Sequence, residues 1–157
     1  MDKQQLPAQF VEQLLISRYL LREGIQALES RLPFAPSLAV SLFQDAAELL
    51  LSAIAVHVDA KVVPNTAFLA YWELIEKAPK NIEHQQVPSK AALMKLNNAR
   101  VAFKHHGQRV SPEDAAAFRV NTEVFLKEAA SRFFAIEFDD ISLADLIARQ
   151  DVRDQVK

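Results

Sequence analysis

The sequence predicts an all-α fold, a bundle of five to six helices in one domain that spans residues 1–157. Apolar residues recur every three or four positions through most of the chain, which is the spacing of one face of a helix. Only two glycines are present, Gly24 and Gly107, so the chain has little material for the positive-φ turns of β-hairpins. A chain of this length also fits the usual size of a single domain.

The first two helices are expected at about Pro7 to Leu28 and at Ser37 to about Val58. The prolines of segment 31–36 separate them, because proline and the residue before it resist the α conformation. Ser37 is a plausible N-cap for the second helix. That helix is apolar around most of its circumference, which predicts a central position in the bundle. Its polar residues form one narrow stripe: Ser41, Gln44, Asp45, Glu48 and Ser52.

Four further helices follow in the sequence. They are expected at about Thr66 to Lys77, at Ser89 to Gly107, at Ser111 to about Phe134, and at Ser142 to Ile147 or Arg149. Gly107 suits the position just after a helix. Ser111, followed by a proline and two acids, is a typical helix start. Segment 135–141 alternates like a strand but has no partner strand, so we expect coil there.

The composition favours a cytoplasmic protein. The chain has no cysteine, which excludes a disulfide framework and any thiolate metal site. The first ten residues, MDKQQLPAQF, lack the basic and then apolar pattern of a signal peptide. The longest apolar stretch, at 49–58, is interrupted by Ser52 and His57 and is too short to span a bilayer. We therefore expect no membrane association.

Charge is distributed unevenly along the chain. Residues 77–110 carry seven basic side chains and one acidic side chain, whereas the segments on either side are net acidic. Three of the four histidines also lie in this block. A basic block in an acidic protein attracts polyanions such as RNA. The alternative interpretation is a solvated helix face joined to a loop that contains lysines.

The helix at 89–107 contains one residue that conflicts with its pattern. On a helix of about 100° per residue, Leu93, Leu96 and Phe103 share a stripe, and Arg100 falls inside it. A guanidinium cannot enter a dry core without a partner. Arg100 must therefore face a cleft, a partner subunit or an internal acid, such as one from the first or second helix.

Arg100-x-x-x-x-His105 resembles the arginine-x(4–6)-histidine signature of the HEPN superfamily, and His106 matches the next allowed spacing. The match lies at the end of the helix before the last long one, as it does in that family. The preceding apolar helix with its short polar stripe is similar to the corresponding HEPN helix. The resemblance covers about Leu38 to Phe134 and implies a single HEPN-like helical domain.

This resemblance implies a metal-independent endoribonuclease of the toxin or phage-defence type, acting as a homodimer with a composite cleft. In such an enzyme His105 would move protons and Arg100 would stabilise the charge on phosphorus. Asn97, Asn98, Lys104, His106, Arg109 and Lys95 would bind RNA or support the site. No cofactor or metal is expected. An antitoxin or a nucleotidyltransferase is a possible partner. The dimer is expected to use the helix at 89–107 and either the first helix or the helix at 111–134.

Two observations keep an alternative open, namely a non-catalytic HEPN-like module that binds RNA or protein. HEPN ribonucleases usually have a polar residue after the arginine, and here that residue is Val101. On an ideal helix Arg100 and His105 also diverge by roughly 140°. They converge only if the helix loosens near Gly107 or if a second subunit contributes. If Arg100 were instead paired inside the core, a plain helical interaction domain would follow.

The other candidate residues have ordinary structural interpretations. His57 is expected to be a capping or interface residue. Asp45 and Glu48 are expected to belong to a solvated stripe, since no third metal ligand accompanies them. Tyr71 and Trp72 are expected in the core or at an interface rather than as a base-stacking platform.

Overall fold

The structure is a computed structural model that describes residues 6–155, without the side chains of residues 149, 150, 152 and 153. The first five residues, on which the expectation of no signal peptide partly rests, lie outside this range. Within it the fold is all helical and contains no strand, as the sequence predicts. The helices are α1 (Ala8–Glu29), α2 (Ala35–His57), α3 (Ala70–Glu76), α4 (Lys90–His106), α5 (Pro112–Phe134) and α6 (Leu143–Gln155), with a 3-10 turn at Phe138–Asp140.

Helix α2 is the central element of the bundle, which confirms the prediction from its apolar circumference. It packs against α1, α3, α4 and α5, and Leu50, Leu51 and Ile54 are fully buried. Full burial of such a side chain contributes about 1.5–3 kcal/mol each. Helix α1 approaches α2 closely at Gly24, where a Cβ atom would lie 2.6 Å from the ring of Phe43. The contact therefore requires glycine at that position.

By length and composition alone, α2 could cross a membrane. Most of the apolar segment of α2 is buried inside the bundle, as is usual for the core helix of a soluble domain. The expected cytoplasmic location is a prediction that the fold does not address.

Several helix ends differ from the expected positions. Helix α2 begins at Ala35, so Ser37 is not its N-cap. Ser37 lies inside the helix, and its hydroxyl accepts a hydrogen bond of 2.9 Å from the Val110 backbone N–H. Helix α3 is shorter than expected because the Thr66 hydroxyl closes a local turn with the backbone of Val63.

The expected caps of the later helices are confirmed. The Ser111 hydroxyl accepts a hydrogen bond of 3.0 Å from the Asp114 N–H, and Gly107 ends α4 with φ of 64°. Ser142 caps α6, since its backbone and side chain both bond to Asp145. Helix α6 extends to Gln155, beyond the expected end. Segment 135–141 is not a strand and contains the 3-10 turn.

Candidate functional site

Arg100 forms an ion pair with Asp45 at the edge of the interface between α4 and α2. Its Nη1 lies 3.0 Å from Asp45 Oδ1, and the two side chains are 24% and 43% exposed. Helix α4 holds Arg100 there because Leu93 and Leu96 on the same face are fully buried against the bundle. The sequence leaves three environments open for Arg100, and the structure shows one of them: an acid of the second helix, Asp45. The pair is partly solvated, so Arg100 is not enclosed in the core.

This pair was only partly predictable. Asp45 is expected in a solvated stripe, and it is 43% exposed there, but it also pairs with Arg100, which the stripe alone does not predict. Gln44, the neighbour of Asp45 in the polar stripe, also contacts α4. Gln44 is almost fully buried, and its Nε2 donates a hydrogen bond of 2.9 Å to Asn97 Oδ1. The Oε1 atom of Gln44 is buried and has no hydrogen-bond partner among residues 6–155, an arrangement that costs about 1–3 kcal/mol.

Asn97 therefore joins α4 to α2 beside the ion pair, whereas Asn98 is exposed. The Gln44–Asn97 hydrogen bond and the Asp45–Arg100 ion pair involve adjacent residues of α2. Together they fix the rotation of α4 relative to α2. The guanidinium of Arg100 is consequently held in one direction at the surface.

His105 and His106 are both exposed in the last turn of α4, and their ring centroids are 6.5 Å apart. The helix continues through His106 and ends only at Gly107, whose N–H bonds to the Phe103 carbonyl at 3.0 Å. The helix therefore does not loosen between Arg100 and His105. Within one chain the two side chains keep the divergence of roughly 140° given by helical geometry.

An exposed apolar strip lies next to this site on α4. Val101 is 42% exposed and Met94 is 43% exposed. Seven residues make almost two full turns, so the two side chains lie on one line of the helix. His105 follows Val101 by one turn and extends the same line. Around the helix, Val101 lies between Arg100 and His105, about 100° from the arginine and about 40° from the histidine.

The other basic residues predicted to bind RNA lie at the surface. Lys95, Lys104 and Arg109 are exposed. Among residues 6–155 none of the three forms an ion pair. Arg109 instead stacks on Phe34, with its Cζ atom 4.7 Å from the ring centroid. These cations are therefore free to meet phosphate groups.

The remaining candidates have structural roles. His57 packs against the rings of Phe10 and Phe134, with centroids 5.8 and 4.9 Å away. Burial lowers the pKa of His57, Lys80 lowers it further, and a hydrogen bond to the Phe133 backbone opposes the shift.

Trp72 and Tyr71 are both buried, as expected for core residues. The indole N–H of Trp72 donates to the Pro88 carbonyl at 3.1 Å. Burial and the nearby Glu48 raise the pKa of Tyr71, while a hydrogen bond with Ser52 opposes the change.

Comparisons of the chain with protein-family models, with curated proteins and with solved structures found no match. The HEPN resemblance consequently rests on the residues of α2 and α4 and on the all-α fold.

Proposed function

We propose that the protein is a HEPN-like, metal-independent endoribonuclease that acts as a homodimer. The observation that carries the proposal is the position of Arg100. It lies in the apolar stripe of α4, yet it reaches the surface, where Asp45 holds it. Two exposed histidines follow on the same helix. A fixed cation and nearby imidazoles that can accept and return a proton are what metal-free RNA cleavage requires.

In the proposed reaction the 2′-oxygen of RNA attacks the adjacent phosphorus, and the bond from phosphorus to the 5′-oxygen breaks. His105 accepts the proton of the 2′-hydroxyl and returns a proton to the departing 5′-oxygen. Arg100 binds the non-bridging oxygens and stabilises their charge in the transition state. The products are a 2′,3′-cyclic phosphate and a 5′-hydroxyl.

Asp45 has a positioning role in this scheme. It occupies Nη1 of Arg100, which leaves Nη2 and Nε of the planar guanidinium for a phosphate. Arginine suits the role because its fork of donors matches two phosphate oxygens at once. The carboxylate also keeps the side chain extended between α2 and α4 while no substrate is bound.

In the proposed dimer, the second copy of the chain brings its own Arg100 or His105 to the site. Arg100 and His105 point in different directions within one chain, so a composite site takes one residue from each copy. The exposed strip of Met94 and Val101 is a suitable contact surface, because it is apolar and Val101 lies between Arg100 and His105 around the helix. An apolar residue directly after the motif arginine then serves the dimer rather than the chemistry.

A second candidate function is a non-catalytic HEPN-like module that binds RNA or protein. It is favoured by Val101, since the family's ribonucleases usually have a polar residue there. In this case Arg100 serves packing and phosphate binding. The substitution Val101→Asn distinguishes a decayed catalytic site, which gains cleavage, from a binding scaffold, which does not.

Incubation of single-stranded RNA with the purified protein in EDTA tests the proposed activity. We expect cleavage with 2′,3′-cyclic phosphate ends, detected by mass spectrometry.

Arg100→Ala should reduce the rate by about a hundredfold or more through lost charge stabilisation. His105→Ala should have a similar effect, and His106→Ala a smaller one. The exposed residues Arg22 and His84 provide matched controls as Arg22→Ala and His84→Asn. RNA that is bound but left intact by the wild-type dimer would favour the binding module.

A further inference from the structure

A groove of about 610 Å³ lies between the end of α1, the α1–α2 loop and the start of α5. Its walls are mainly apolar and include Leu28, Leu32, Pro33, Val110 and Pro112. Sites for small molecules typically measure about 300–1,000 Å³ and combine apolar walls with a few charged groups. A groove of this size and composition accommodates one nucleotide.

An aromatic–guanidinium stack adjoins this groove along the chain. Phe34 is 55% exposed, and the guanidinium of Arg109 lies over its ring at 4.7 Å. Their chain neighbours Pro33 and Val110 are part of the groove wall. Exposed rings and planar guanidinium groups are the surfaces on which proteins stack unpaired RNA bases.

The charges around the groove indicate where a phosphate would bind. Arg31 lines the groove, is exposed and has no ion pair among residues 6–155. Arg119 also lines it but is occupied by Glu123 at 3.1 Å. Of the described residues, Glu29 is the one acid in the wall, and the acids Glu113 and Asp114 lie in the first turn of α5. Arg31 in the groove wall and Arg109, next to the wall residue Val110 in the chain, are therefore the nearby cations without an ion pair among residues 6–155.

The stack is also close to the candidate catalytic residues along the chain. Arg109 follows His105 by four residues, and four residues of extended chain span at most about 14 Å. The Val110 backbone is tied to Ser37 at the start of α2. This hydrogen bond fixes the connection between α4 and the groove.

We infer that this groove is a nucleotide-binding subsite for single-stranded RNA next to the cleaved phosphate. Phe34 and Arg109 stack on an unpaired base, the apolar wall takes up its buried side, and Arg31 pairs with a phosphate. The subsite selects unpaired RNA, because a base inside a duplex cannot reach the stack. The inference rests on the proposed function in that it takes RNA as the ligand.

Chemical-shift mapping on the full ¹⁵N-labelled chain tests the subsite without any cleavage. The probes are adenosine 5′-monophosphate, adenosine and inorganic phosphate. We expect the nucleotide to shift the amides of Arg31, Phe34, Arg109 and Val110 more than either adenosine or phosphate does. Shifts with phosphate alone, equal to those with the nucleotide, would replace the subsite by a simple anion site. An absence of shifts at the groove would overturn it.

Fluorescence anisotropy with single-stranded RNA then measures the energetic effect. Phe34→Ala and Arg109→Ala should each weaken binding at least about fivefold, the equivalent of about 1 kcal/mol for one stacked base. Arg109→Lys keeps the charge but loses the planar stack, so it should lose most of the same affinity. Lys61→Ala, which removes one exposed charge from a distant loop, is the control for net charge.

The outcomes separate the subsite from the proposed activity. RNA cleavage that persists with full affinity in Phe34→Ala would overturn the subsite and leave the ribonuclease proposal in place. A nucleotide-dependent shift at the groove of a protein that cuts no RNA would support the subsite and count against catalysis. If an acidic peptide shifted the same amides more strongly than the nucleotide, the groove would be a protein-docking site and the inference wrong.

Discussion

The guanidinium of Arg100 and the carboxylate of Asp45 join the middle of α4 to the middle of α2, with Nη1 and Oδ1 3.0 Å apart. Both side chains remain partly exposed, and exposed pairs of this kind contribute only about 0–1 kcal/mol to stability. The pair is thus a weak source of folding energy but an effective constraint on where the guanidinium points. We therefore expect its loss to affect the proposed chemistry more than the fold.

Asp45→Asn tests this expectation. The substitution removes the charge while keeping the shape, so Arg100 is no longer held toward α2. We expect the rate of RNA cleavage to fall by about tenfold or more, which corresponds to about 1.4 kcal/mol of transition-state stabilisation. The free energy of unfolding in urea should change by less than about 1 kcal/mol. Asp139→Asn, which removes the acid of a surface pair with Lys127, is the matched control. Equal cleavage rates for Asp45→Asn and wild type would show that Asp45 does not position Arg100.

If the exposed apolar strip of Met94 and Val101 forms the dimer contact, a charge placed on it should prevent dimer formation. Val101→Asp places a carboxylate on this apolar strip, and two copies facing each other would have to bury both carboxylates in the contact. We expect light scattering to report a dimer for the wild type and a monomer for the variant. The variant should also lose cleavage. Val63→Asp in the loop after α2, a valine of 68% exposure, is the control and should leave the dimer intact. A wild-type monomer at tens of micromolar would contradict the composite site.

Gly24→Ala should destabilise the bundle even though alanine favours helices. Its Cβ atom would lie 2.6 Å from the fully buried ring of Phe43 and 3.3 Å from the Ala39 carbonyl oxygen. Overpacking of this kind costs about 1–3 kcal/mol, and the gain in helix propensity offsets at most about 1 kcal/mol of it. Urea denaturation should show a net loss for Gly24→Ala. Gln26→Ala, an exposed substitution on the same helix, should show none. A stabilised Gly24→Ala protein would mean that α1 and α2 pack less closely.

His57 predicts how stability depends on pH. Because burial lowers its pKa in the folded protein below the ordinary value of 6.5, the unfolded chain binds more protons as pH falls below that value. Above about pH 6.5 His57 is neutral in both states and does not reduce the free energy of unfolding. Below that pH the free energy of unfolding falls, until the pH reaches the pKa of His57 in the folded protein. His57→Phe removes this linkage. Its unfolding free energy should decline less between neutral and mildly acidic pH than that of the wild type. Identical slopes for the two proteins would exclude the linkage.

Periodicity and capping residues were sufficient to predict the helices but not all their ends. Ser111, Ser142 and Gly107 act locally, so their roles could be read from neighbouring residues. Ser37 has the same chemistry as a cap, but its hydroxyl bonds to Val110, which is distant in sequence. No local pattern distinguishes these two uses of a serine.

In the candidate site, too, local features could be predicted from sequence and contacts between helices could not. Arg100 could be recognised from sequence because a charged residue interrupts an apolar stripe. Its partner Asp45 could not be identified, since that pairing depends on how α4 is rotated against α2. The hydrogen bond between Gln44 and Asn97 could not be predicted from sequence for the same reason. The groove beside Phe34 depends on three separate segments meeting, and no single stretch of sequence indicates it.

Complementation between two inactive variants tests the composite site most directly. Arg100→Ala and His105→Ala are purified separately, mixed, allowed to exchange subunits and assayed on single-stranded RNA in EDTA. If each site takes Arg100 from one copy and His105 from the other, a mixed dimer has one intact site. The mixture should then recover roughly a quarter of the wild-type rate, because random exchange makes half of the dimers mixed. A mixture that exchanges subunits but remains as inactive as its components, beside an active wild type, would contradict the composite site.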